Sequence, residues 1–95
     1  MAGYLIADID VHDPDAYDEY RRLVAPTIDR YGGKFVVRGG PDEVMEGDWV
    51  PHRIIVLEFE SVARAKQWYG SDEYAPALAI RLKAATSSTI IVEGA

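Results

Sequence analysis

The residues best suited to chemistry in this chain are three charged residues that fall on predicted strands. Asp8, Arg38 and Glu58 each have apolar neighbours, and strand alternation places all three side chains on one face of a sheet. Asp10 and Glu93 are further charged candidates there. A carboxylate buried on such a face either pairs with a cation or has its pKa raised. A carboxylate tuned in this way could act as a general base, which makes Asp8 and Glu58 the candidates for proton transfer and Arg38 the candidate for holding an anionic or enolate oxygen.

A structural role is the alternative for these charges, in which Arg38 pairs with a carboxylate and fixes the register of an interface. Arg81 falls near the apolar stripe of the last predicted helix, where its stem could pack while its head reaches an acid. An imidazole can carry a proton near neutral pH, and indole rings can line an aromatic pocket or pack in a core. The candidates for holding a small molecule are Tyr4, Arg38, Trp49, His52 and Trp68.

The composition excludes several function classes. The chain has 95 residues, which predicts one domain over 1–95, and a net charge of −6, which argues against nucleic acid as a partner. Cysteine is absent, so disulfides and thiol nucleophiles are excluded, and the two histidines have no metal-ligand spacing. We find no phosphate loop, hydrolase elbow or dinucleotide fingerprint, and expect neither metal nor cofactor. Without a membrane-spanning or signal segment, we expect a cytoplasmic location and no membrane partner.

The pattern of strands and helices must position these candidates. Alternating apolar residues predict strands over 4–11, 34–38, 53–59 and 88–93. The first helix begins at Asp13-Pro14 and ends at Gly32-Gly33, with a kink or brief break at Pro26. Further helices are predicted over 61–69 and from Ser71 to about 85. The order βαββαβ indicates an α+β fold of the ferredoxin-like type, a four-stranded antiparallel sheet with helices on one face.

This fold leaves the other sheet face open, and the sequence makes that face apolar. An open face in a solitary domain is normally polar, so a large apolar patch marks a partner surface. We expect a homodimer in which the open faces of two copies pack together. The predicted open-face residues are Tyr4, Ile6, Val36, Ile54, Val56 and Ile91.

Several short motifs follow one another along the chain. They are Asp13-Pro14, Tyr31-Gly32-Gly33-Lys34-Phe35, Arg38-Gly39-Gly40, Glu46-Gly47-x-Trp49-x-Pro51-x-Arg53, Glu58-Phe59, Ala65-x-x-Trp68-Tyr69-x-Ser71-x-x-Tyr74, Arg81 and Val92-Glu93-Gly94. Together they resemble a bacterial family called domain of unknown function 1330, and the resemblance covers essentially the whole chain. One departure is Lys34, where an arginine is common in the family.

The resemblance implies a dimeric α/β barrel, in which two ferredoxin-like sheets pack face to face, and it implies no activity. Relatives by fold include cofactor-free monooxygenases, haem-degrading enzymes, a lactone isomerase and ligand-sensing modules. These relatives suggest two locations for a functional site, the cavity between the sheet and the helices and the space between the two sheets. We therefore expect a homodimer that binds or transforms a small anionic or enolisable organic molecule. The alternative is a non-catalytic ligand-binding or purely structural homodimer.

Overall fold

The computed structural model describes residues 1–95 and shows one antiparallel sheet with three helices on one of its faces. The strand order is β2-β3-β1-β4, and every neighbouring pair is antiparallel. This confirms the predicted ferredoxin-like arrangement, with a sheet that is open in the single chain. The elements are β1 (Gly3–Val11), α1 (Pro14–Arg30), β2 (Lys34–Arg38), β3 (Arg53–Phe59), α2 (Val62–Tyr69), α3 (Ala75–Ala84) and β4 (Ala85–Glu93).

The first two helices begin at the predicted capping residues. The side chain of Asp13 accepts a hydrogen bond from a first-turn amide at 3.2 Å, and Pro14 opens α1. Ser61 caps α2 in the same way. Gly32 ends the turn after α1 with a φ of +73°, which other residues rarely adopt. The predicted break at Pro26 is absent, and α1 continues through it. Proline has no N–H to donate to the carbonyl of Arg22. Because Arg22 and Pro26 are both exposed, this carbonyl lies on the solvent side of the helix.

The last helix begins later than predicted, at Ala75 rather than after Ser71. The Ser71 hydroxyl accepts a hydrogen bond from the Tyr74 amide at 3.1 Å and donates one to the Trp68 carbonyl at 2.7 Å. These bonds stabilise a turn between α2 and α3, since a short polar side chain competes well with helical backbone bonding. Pro76 then sits in the first turn of α3, where its missing N–H costs nothing.

The helix side of the sheet carries the core. Leu5, Ala7 and Ile9 of β1 point into it, as do Leu57 and Phe59 of β3. The alternation of these strands predicts this face correctly. None of the three helices is long and apolar enough to cross a membrane.

The opposite, open face of the sheet is apolar in its middle. One cross-strand row consists of Val37, Val56, Ile6 and Ile90, one residue from each strand. We call it the apolar row. Ile90 is 59% exposed and Val37 is 37% exposed in the single chain, so the row is a surface that one copy leaves uncovered.

The prediction that Ile91 lies on the open face is wrong. Ile91 pairs with Leu5 and packs against the core, whereas Ile90 and Val92 occupy the open face. The sequence is apolar in both phases here, so alternation alone did not decide which residues face the helices. The pairing of β4 with β1 decides it.

Candidate functional site

A cavity of about 30 Å³ lies between the sheet and the helices, and we call it the helix-side cavity. Its walls are core side chains, and no aspartate or glutamate lines it. The chain has seven arginines and a net charge of −6. Four of the seven gather around this cavity, which makes it a positive site in an acidic protein. They are Arg21, Arg38, Arg53 and Arg81.

Arg38 lies on the helix side of the sheet, so its predicted placement on the open face is wrong. Strand β2 contains a β-bulge in which Val36 is an extra residue without a partner on β3. The extra residue reverses the alternation, so Arg38 pairs with Ile55 and lines the cavity. Its guanidinium carbon lies 4.2 Å from the centre of the Phe35 ring, an orientation that a cation–π contact stabilises.

Arg53 enters the cavity from the first position of β3. Its guanidinium carbon lies 5.9 Å from the centre of the Tyr17 ring, and its buried Nε atom makes no hydrogen bond. Gly39 leaves the space that this side chain needs, because an added Cβ at Gly39 would collide with the Arg53 guanidinium. A buried donor without a protein partner is unusual in a folded protein, so this atom is available to a ligand or a water molecule.

Arg81 reaches the cavity from α3 and is only 4% exposed. The expectation that its head reaches an acid is wrong. Its Nε donates to the Tyr74 hydroxyl at 3.4 Å and its Nη1 to the Ser87 hydroxyl at 2.8 Å. Burial alone lowers the pKa of Arg81, but Tyr74 and Tyr20 outweigh burial and raise it. The guanidinium is therefore a buried cation at every physiological pH.

Tyrosine and tryptophan side chains form the aromatic wall of the cavity. The hydroxyl groups of Tyr20 and Tyr74 are 3.0 Å apart, and burial beside Tyr74 raises the pKa of Tyr20, so its hydroxyl stays protonated. Trp68 is 1% exposed, with its ring 4.1 Å from that of Tyr74, and its indole N–H donates to Thr27. Trp68 thus both packs in the core and lines the cavity.

Asp8, Trp49 and His52 come together on the open face, at a second place. The loop between β2 and β3 folds back over β1, so that the Trp49 indole and the His52 backbone amide both donate to the Asp8 carboxylate, at 2.9 and 2.8 Å. The His52 ring lies 3.5 Å from Asp8 and 3.7 Å from Asp10. Three of the predicted site residues therefore form one cluster, which we call the Asp8 cluster.

Glu58 and Tyr4 lie on the open face as predicted, but away from the Asp8 cluster. Glu58 pairs with Tyr4 across the strands and makes an ion pair with Lys34 at 3.8 Å. Asp8 is four residues further along β1 than Tyr4, a separation of about 13 Å in an extended strand. Asp8, Glu58 and Arg38 thus occupy three separate places in the single chain, and their catalytic roles stay predictions.

Sequence reasoning missed Arg53 and treated Arg81 only as a packed side chain whose head reaches an acid. Arg53 alternates in phase with Ile55 and Leu57, and Arg81 follows Tyr74 at helical spacing on the buried stripe of α3. The signal available in the sequence was an arginine that falls on the same face of its strand or helix as the core residues. It pointed to a buried positive site, because no acid follows in the same phase.

We expect the Asp8 cluster to open as the pH falls below the ordinary value of 3.8 for an aspartate. Burial raises the pKa of Asp8, but the hydrogen bonds from His52 and Trp49 outweigh burial and lower it. A lowered pKa means that the ionised form stabilises the fold above the unfolded pKa and that this stabilisation is lost below it. The Trp49 indole N–H resonance should shift in a ¹H–¹⁵N titration below that pH.

In an Asp8→Asn variant at pH 7, the Trp49 indole N–H resonance should have the chemical shift that it has in the parent protein at low pH. Asp10→Asn is the control, since Asp10 does not contact Trp49 and the resonance should stay unchanged. A Trp49 shift centred above the ordinary aspartate value would contradict the prediction.

Comparisons with solved structures show the same fold in several other proteins. A protein of unknown function from Rhodopseudomonas palustris is 24% identical, with a TM-score of 0.75, over 99% of this chain and 82% of that one. SnoaB, a cofactor-independent oxygenase from Streptomyces nogalater, is 13% identical, with a TM-score of 0.68, over 99% and 93% of the two chains. A dimeric ferredoxin-like protein of unknown function from Jannaschia sp. CCS1 is 12% identical, with a TM-score of 0.67, over 99% and 100%.

At these identities the likeness establishes the fold alone. A search of curated proteins found no match. The model of one protein family, described as domain of unknown function (DUF1330), matches residues 2–95. This match confirms the resemblance that the short motifs indicate, and the chain therefore belongs to the DUF1330 family.

Proposed function

We propose that this protein is a homodimer that binds a small organic anion in the helix-side cavity. The observation that carries the proposal is the gathering of four arginines around a cavity without any acid. Buried or half-buried cations are normally paired with carboxylates. Arg21 is exposed and pairs with Asp18 at 3.8 Å. However, no carboxylate pairs with the half-buried Arg53 or the buried Arg81, so an anionic ligand would complete the site.

The other walls of the cavity favour an organic ligand over an inorganic ion. Most lining residues are aliphatic or aromatic, and the aromatic wall offers flat surfaces. Outside the mouth, an open groove is lined by Asp18, Arg21, Arg22 and Arg38. Arg21 pairs with Asp18 there, which leaves Arg22 and Arg38 to attract anions toward the cavity.

The open face supports the homodimer. The apolar row lies next to the loop between β2 and β3, and this loop exposes large apolar side chains. A second copy would cover both, as in a two-fold interface, and the similar protein from Jannaschia sp. CCS1 is described as dimeric. The exposed loop residues are Val44, Met45, Trp49 and Val50.

Transformation of the bound anion is the second candidate function. The Tyr20 and Tyr74 hydroxyl groups beside Arg81 are donors that could stabilise charge developing on an oxygen. A proton-abstracting carboxylate is absent from the cavity lining, and Asp8 lies on the other sheet face with a lowered pKa. Binding without transformation is therefore the function that the geometry supports best.

An Arg38→Ala variant should bind the ligand about tenfold more weakly while remaining a dimer, because it removes a charged donor at the mouth and leaves the open face unchanged. The measurement is a thermal-shift screen of small organic anions, followed by titration calorimetry of any hit. A ligand at about 100 times its Kd stabilises a protein by about 2.7 kcal/mol, which raises the melting temperature of a domain this small by about 10 °C or more.

The matched control is Arg30→Ala, which removes the same charge from an exposed position outside the cavity and should bind like the parent protein. No stabilisation of the parent by any organic anion would leave only the structural homodimer. Equal binding by both variants would place the ligand elsewhere. Conversion of a bound hit into product would favour the second candidate function.

A further inference from the structure

Arg81 is a buried cation whose hydrogen-bond partners are all neutral. It is 4% exposed, and its two hydrogen bonds go to the hydroxyl groups of Tyr74 and Ser87. Its Nη2 atom has no protein partner among the hydrogen bonds of the chain. A buried charge without a counter-charge is costly. An anion that binds beside this guanidinium would therefore gain the most binding free energy.

Arg53 supplies a second, independent cation on the same side. Arg53 and Ser87 both pair with Ile9, from opposite sides of β1, so they lie in one cross-strand row beneath the cavity. Two strand spacings separate their backbones by about 10 Å, and Arg81 reaches Ser87 from above. The buried Nε of Arg53 lacks a hydrogen-bond partner. Two guanidinium groups with unused donors thus line the helix-side cavity from opposite sides.

The size of the cavity limits what can enter between them. A volume of about 30 Å³ has room for about two water molecules. A planar carboxylate fits such a space, and its two oxygens match the fork of a guanidinium group. A tetrahedral phosphate or sulfate is bulkier and would require the core side chains to move.

The rest of the ligand must extend toward the mouth. Phe35 and Tyr17 line the cavity there, each with an arginine beside its ring, Arg38 and Arg53 respectively. These surfaces suit a flat, apolar body.

We propose that the anion bound in the helix-side cavity is a small monocarboxylic acid with a flat, apolar body, whose carboxylate inserts between Arg81 and Arg53. This inference rests on the proposed function and names its ligand class and its anchoring residues. Arg81 is the inner anchor, and the Tyr20–Tyr74 hydroxyl pair lies beside the bound carboxylate.

Calorimetric titration of the full chain with benzoate, benzamide and phenylphosphonate tests the ligand class. Benzoate should bind saturably, and benzamide, which has the same shape without the charge, should bind at least about tenfold more weakly. Phenylphosphonate should also bind more weakly, because its head is larger. Equal or tighter binding of benzamide or phenylphosphonate would overturn the carboxylate assignment.

Arg81→Met tests the anchor and should weaken benzoate binding by at least about tenfold. Lys83→Met, which removes a charge from an exposed position on the same helix, should bind like the parent. Arg81→Lys retains the charge but loses the planar fork. It should bind more weakly than the parent, and it provides the test if Arg81→Met does not fold.

The outcomes separate this inference from the proposed function. Benzoate binding that is weakened by Arg38→Ala but not by either Arg81 variant would refute the anchor and leave the anion cavity standing. A screen in which other organic anions bind and carboxylates do not would refute the ligand class alone. Failure of every organic anion to bind the parent protein would refute both.

Discussion

A Val56→Glu variant is expected to be a monomer of 10.6 kDa, the mass of one chain, under conditions in which the parent protein is a dimer. Val56 lies on a central strand in the apolar row, between Val37 and Ile6. In a face-to-face dimer, a glutamate there would be buried against apolar side chains of the partner. A buried carboxylate without a counter-ion costs several kcal/mol, and two-fold symmetry introduces two of them.

Sedimentation velocity or light scattering after gel filtration would measure this change. Leu23→Glu is the control, because Leu23 is 42% exposed on α1, away from the open face, and its variant should remain a dimer. A dimeric Val56→Glu protein would place the interface elsewhere on the chain. A monomeric parent at micromolar concentration would remove the homodimer from the proposal.

A Trp68→Ala variant should lose about 3–5 kcal/mol of unfolding free energy. Trp68 is 1% exposed, packs on Tyr74 and Phe59, and donates its indole N–H to Thr27. Truncation to alanine removes these contacts and leaves a large void under α2. A domain of this size is stable by about 5–14 kcal/mol in total, so the loss is a substantial fraction of its stability.

Urea unfolding followed by far-UV circular dichroism would measure the loss. The chain offers a matched control in its only other tryptophan, since Trp49 is 61% exposed and touches the fold mainly through its hydrogen bond to Asp8. In the monomeric Val56→Glu background, where no partner covers the loop, Trp49→Ala should cost about 1 kcal/mol or less. Equal losses for the two variants would mean that Trp68 is not the centre of the core.

Local patterns are sufficient to predict most of the fold. Asp13 and Ser61 carry the short acceptor groups that a helix start needs, and Gly32 permits the turn after α1. The alternation of β1 identifies the core face, because only one of its two phases is continuously apolar. These signals act over a few residues, so they can be recognised without tertiary information.

Errors occur where pairing between strands overrides the local pattern. Arg38 was predicted on the wrong face because a bulge depends on how β2 meets β3, and nothing in the sequence of β2 marks Val36 as the extra residue. Ile91 was misplaced because Ile90 and Val92 are equally apolar, which leaves the choice of face to the register with β1.

The candidate site was predicted only in part, since its members are distant along the chain. Trp49 and His52 meet Asp8 because a loop without regular structure folds back over β1, and no periodicity describes such a loop. Arg53 and Arg81 could have been recognised as buried from their phase. Their lack of acidic partners is a tertiary fact, visible only when β3 and α3 are seen around the same cavity.

The bulge in β2 also bears on how members of this family should be compared with one another. Removing the one unpaired residue restores simple alternation and leaves the strand partners of Phe35 and Arg38 unchanged, so a relative that lacks both Val36 and the bulge would still direct the arginine to the helix side. A relative with the same number of residues but no bulge would instead present the arginine on the open face. Two such proteins would match at the arginine and yet differ in the sheet face that it occupies. The number of residues between Phe35 and Arg38, taken together with the strand pairing, therefore decides whether this arginine can reach the helix-side cavity.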